Sequence, residues 1–108
     1  MLVASQFAEA LAKGDFGRAN ELLTEAAKKH LSATELKKTY EGMIAYGRGP
    51  AKHVEVLQSL GIWPGKQKDD AGWVYVSISG DDFSEAVSVV VARESGKELI
   101  RHIEWGRP

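Results

Sequence analysis

The chain has 108 residues, of which 44% are hydrophobic and 27% charged, with a net charge of −1 and no cysteine. That length suits one domain over residues 1–108 with a single core. The balance excludes disulfides, thiolate metal sites and a broad electrostatic attraction to nucleic acid or anionic membranes.

Residues 1–12 lack a basic region and a long apolar run, and Glu9 interrupts them, so neither a signal peptide nor a membrane span is expected and a cytoplasmic location is favoured. Val3, Phe7 and Leu11 recur at i, i+4, i+8 and predict a first helix over about 2–12, ended by Gly14 in a left-handed cap. Asp15 then caps a second helix from Phe16 to about Lys29, with Ala19, Leu22, Leu23, Ala26 and Ala27 as its apolar stripe. Ser32 and Glu35 have capping-box spacing, so a third helix begins at Ala33, buries Leu36, Tyr40, Met43 and Ile44, and stops at Gly47, Gly49 and Pro50. Residues 53–59 alternate and predict a strand, and residues 61–71 read as a loop.

Three strands close the chain: Trp73–Ser79, Phe83–Arg93 and Leu99–Trp105, joined by turns at Gly80-Asp81 and Ser95-Gly96. With two-residue loops, Ser79 opposes Asp82 and Tyr75 opposes Ala86, while Val89 opposes His102 and Val87 opposes Glu104. Strict alternation then divides the sheet. One face carries Val74, Val76, Ile78, Val87, Val89, Val91 and Ile100 together with Glu85, His102 and Glu104. The other carries Trp73, Tyr75, Leu99, Arg101, Ile103 and Trp105 among serines and alanines. The aliphatic face matches the helical stripes and should pack on them. The aromatic face is too apolar to be freely solvated and predicts a homodimer interface through Trp73, Tyr75, Leu99, Arg101, Ile103 and Trp105.

The stretch FAEALAKGDFGRANELL (Phe7 to Leu23) and the terminal strands GWVYVSI and IRHIEWGRP resemble the nuclear transport factor 2-like, or cystatin-like, superfamily over nearly the whole chain. The resemblance implies an α+β fold: three N-terminal helices packed on the concave face of a curved antiparallel sheet of about four strands, with dimerisation by the outer sheet face. It also implies a pocket between helices and sheet, here lined by Phe7, Leu11, Tyr40, Met43, Val89, His102 and Glu104. It does not fix function, since the superfamily holds ketosteroid isomerases, polyketide cyclases, scytalone dehydratase and many non-catalytic binding domains. The isomerases carry a Tyr on the first helix and Asp in the pocket. Here that helix offers Phe7 and Leu11, no Asp lies within a predicted strand, and the usual early hairpin is missing, which predicts a smaller or more open cone.

Two functions are therefore expected to compete, beside a third possibility, a purely structural accessory domain that positions a partner through residues 73–105. The first is a non-catalytic domain binding a small apolar ligand or a protein partner, with no cofactor. The second is a small isomerase, lyase or cyclase in which Glu104 is the base, His102 its partner and Tyr40 a hydrogen-bond donor. His30, His53 and His102 lack metal-ligand spacing, so no metal is expected.

Overall fold

The computed structural model describes residues 2–44, 51–81 and 83–106. Helices come first: α1 (Leu2–Lys13), α2 (Phe16–Glu21), α3 (Glu25–Lys28) and α4 (Ala33–Ile44). Four strands follow, β1 (His53–Leu60), β2 (Asp70–Ser79), β3 (Ser84–Glu94) and β4 (Lys97–Gly106), paired antiparallel in chain order into one open, curved sheet. The α+β class, helices first and a four-stranded sheet after them, is as the sequence predicts.

Local chemistry sets the helix ends. α1 closes in a Schellman motif: the Gly14 N–H donates to the Leu11 carbonyl (3.0 Å) and the Asp15 N–H to the Ala10 carbonyl (2.8 Å), with Gly14 at φ +77°. The Asp15 carboxylate caps α2 at the Arg18 N–H (3.1 Å), and the Ser32 hydroxyl caps α4 at the Glu35 N–H (3.1 Å). The predicted stop of α4 at Gly47, Gly49 and Pro50 lies outside the described residues.

The predicted second helix is corrected: it divides into α2 and α3. Leu22, Leu23 and Thr24 leave the helix to touch the edge of β4, where the Thr24 N–H donates to the Ile100 carbonyl (2.9 Å) and the Ile100 N–H to the Leu22 carbonyl (2.8 Å). Those two bonds replace the helical ones that residues 22–24 give up. Thr24 then caps α3 through its hydroxyl, which accepts from the Ala27 N–H at 3.2 Å.

The helices cover one face of the sheet. Val3, Phe7 and Leu11 of α1 and Leu36 and Tyr40 of α4 share a core with Val74, Val76, Ile78, Val87, Val89, Val91 and Ile100. The β3–β4 turn is the predicted two-residue one, with Ser95 at φ 53° and Gly96 at φ 78° between paired Glu94 and Lys97, the geometry of a type I′ hairpin. The β2–β3 connection is longer than predicted. Ser79 pairs with Ser84, and the Gly80 N–H donates to the Phe83 carbonyl (3.0 Å), so Tyr75 opposes Ser88 rather than Ala86. The register moves by two residues, and because side chains alternate with period two every residue of β2 and β3 keeps its predicted face.

β4 does not keep its faces. A bulge between Val90 and Val91 gives β4 one extra residue, Arg101: Val91 pairs with Ile100, but Val90 pairs with His102, Val89 with Ile103 and Val87 with Trp105. From His102 onward every side chain is reversed relative to strict alternation. Ile103 and Trp105 turn toward the helices and pack on the core. His102 and Glu104 turn to the outer face, in rows with Trp73 and Tyr75.

Candidate functional site

The bulge separates residues that the sequence placed in one pocket. Phe7, Leu11, Tyr40 and Val89 are buried within the core, Val89 at 1% and Tyr40 at 4% exposure, with Met43 half-buried at its margin. His102 and Glu104 lie across the sheet from them, so the proposed acid and base stay together but the donor Tyr40 is parted from both. The Tyr40 ring packs on Phe16 with centroids 5.9 Å apart. Its hydroxyl is buried with no hydrogen-bond partner among the described residues, and burial raises its pKa above the ordinary phenol value.

The predicted interface set also divides. Trp73 and Tyr75 stay on the outer face, half-buried and stacked on each other with centroids 5.9 Å apart and planes 10° from parallel. Ile103 and Trp105 are corrected to the helix side. Leu99 pairs with Ala92 and lines a separate groove with Glu25 and Lys28.

What the outer face does build is a groove of about 490 Å³. Its floor is Trp73, Ser88 and Val90, one wall is Arg101, His102 and Glu104 of β4, and the other is Leu60 with Trp63, Pro64 and Gly65 of the β1–β2 loop. His102 Nε2 and Glu104 Oε1 are 3.4 Å apart, with side chains 54% and 71% exposed. At that exposure the pair holds two polar groups side by side in water rather than in a desolvated pocket.

The loop wall is fixed by an ion pair absent from the sequence expectations. Asp70, predicted as solvated loop, opens β2, and its side chain is 1% exposed. Arg101 reaches it with a fork, Nε to Oδ1 at 2.8 Å and Nη2 to Oδ2 at 2.7 Å, and the Gln67 N–H adds a third bond at 2.7 Å. The Arg101 hydrogen bonds hold the Asp70 carboxyl below the usual carboxylate range; burial opposes this, and the Gln67 N–H and the charges of Arg101 and Lys66 assist it. A second bond, from the Arg93 N–H to the Asp69 carbonyl (2.8 Å), ties the end of the loop to β3.

Trp63 and Asp70 are the groove-forming residues that sequence reasoning missed. Trp63 carries a weak signal, an indole within a Gly/Pro-rich loop that has no apolar periodicity to satisfy. Asp70 carries none, because its partner is 31 residues away.

No profile of a known protein family matches the chain, and no curated protein matches it. Among solved structures, the chain is similar to a DUF4783 family protein from Bacteroides uniformis ATCC 8492, with a TM-score of 0.60 and 14% identity over 95% of this chain and 94% of that one. At that identity the similarity is one of fold alone.

Proposed function

We propose that the chain is a non-catalytic binding module of the nuclear transport factor 2-like type, that it works through the outer face of its sheet, and that the first partner of that face is a second copy of the chain. The observation that carries this reading is the contrast between the two faces. The helix–sheet interior is occupied by its own side chains, with Phe7, Leu11, Leu36 and Val89 at 0–1% exposure. The outer face instead keeps Trp73 and Tyr75 half-exposed beside Ser77, Ser79 and Ser88. Aromatic side chains held rigid beside small residues are what interface centres favour. Ile62, 85% exposed next to Trp63, extends the apolar surface at the loop.

Sedimentation velocity over a concentration series tests it. Wild type should sediment as a dimer, Ser77→Arg in the middle of the face should sediment as a monomer, and Trp105→Ala on the helix side should leave assembly intact. A monomeric wild type at all concentrations, or a Ser77→Arg dimer, would refute it. The competing reading, proton transfer by Glu104 and His102, is supported only by their 3.4 Å contact. Both side chains are exposed, at 54% and 71%, rather than enclosed with a substrate.

A further inference from the structure

We infer that the groove between the β1–β2 loop and β4 binds a small organic cation of the quaternary ammonium class. Two indoles, Trp63 and Trp73, line it, and the ring quadrupole of indole attracts a soft, weakly hydrated cation. The charges in the groove select the same sign. Arg101 also lines it, but two of its nitrogens are committed to the buried Asp70 carboxylate at 2.7 and 2.8 Å, and Lys66 acts on that same carboxylate. Arg101 is therefore engaged with Asp70, and Lys66 does not line the groove. Among the described residues Glu104 has His102 beside it at 3.4 Å, and its side chain is open to a ligand entering from solvent. Ser88 supplies a hydroxyl on the floor for a polar tail. A site with aromatic lining and an exposed carboxylate favours a soft cation over a neutral ligand of the same shape. The volume suits a small molecule free in solution.

The test uses choline and its uncharged isostere, in which carbon replaces the quaternary nitrogen, followed by heteronuclear NMR. Choline should give saturable shifts confined to residues 60–65, 73, 88–90 and 101–104, and should bind about fivefold more tightly than the isostere. Glu104→Gln should narrow the advantage of choline over the isostere to what the indoles supply, and Trp63→Ala should remove binding of both. The titrations are made on Ser77→Arg, whose outer face carries no second copy, so this result stands or falls apart from self-association. Equal binding of choline and isostere, no saturable shift, or shifts that survive both groove variants would overturn the assignment. Binding to phosphatidylcholine vesicles without any response to free choline would overturn it as well.

Discussion

Replacing Arg101 with Met isolates the energetics of the pair that holds the groove together. In the wild type the Asp70 carboxylate accepts three hydrogen bonds, two of them from Arg101, with its side chain 1% exposed and that of Arg101 27% exposed. Without the guanidinium the carboxylate keeps only the Gln67 N–H. Breaking one side of a buried pair costs about 3–5 kcal/mol, and the lower end applies here because water can reach the space Arg101 vacates. A loss of about 3 kcal/mol should lower Tm by about 10–15 °C in a chain of this size. Urea unfolding followed by far-UV circular dichroism measures it, with an unchanged m-value showing that the same surface is exposed. The double variant Asp70→Asn, Arg101→Met leaves no unpaired charge and should recover much of the loss. The dependence on pH has a definite sign. Arg101 lowers the native pKa of Asp70, so the pair's contribution is complete above the ordinary carboxylate value of about 4 and is lost as pH falls through the lower native one. The deficit of Arg101→Met should therefore be full at neutral pH and narrow in acid. A neutral-pH cost below about 1 kcal/mol, or a deficit that stays constant into acid, would refute the reasoning.

Other substitutions probe the remaining elements. Val89→Asp puts an unpaired charge into the core and should abolish cooperative unfolding at room temperature; a folded, stable variant would mean that the faces of β3 are exchanged. Tyr40→Phe removes a buried hydroxyl without a described partner and should leave stability unchanged or raise it by about 1 kcal/mol, whereas a comparable loss in thermal unfolding would show that the hydroxyl is bonded. Ser95→Asn places the residue preferred at φ > 0 in the type I′ turn and should raise Tm slightly, while Gly96→Val should cost at least about 1 kcal/mol at φ 78°.

The parts of the fold legible in the sequence are those set by near neighbours. The Gly14 cap, the Asp15 and Ser32 caps, the Ser95-Gly96 turn and the faces of β2 and β3 all follow from residues a few positions apart. What escaped is set by distant partners. Residues 22–24 have a helical stripe and good helix formers, yet the backbone of Ile100 draws them into an isolated bridge. The β4 bulge depends on Asp70, which takes up the Arg101 side chain and makes the extra residue affordable. Composition held a trace of it. Strict alternation mixes Arg101 with Leu99, Ile103 and Trp105 on one face, while setting Arg101 aside puts Ile100, Ile103 and Trp105 together and His102 with Glu104. The more uniform division of faces puts His102 and Glu104 on the outer side, where the structure has them.

The outer face is the centre of the functional proposal, and hydroxyl-radical footprinting across a protein concentration series tests it most directly. Tyr75 and Trp73 should lose reactivity as concentration rises, while Leu2 on the far side, 73% exposed, and Leu57 on the β1 edge, 48% exposed, should not change. Unchanged labelling of Tyr75 with protection of Leu2 or Leu57 would move the interface to the helices or to the β1 edge and contradict the assignment of the outer face.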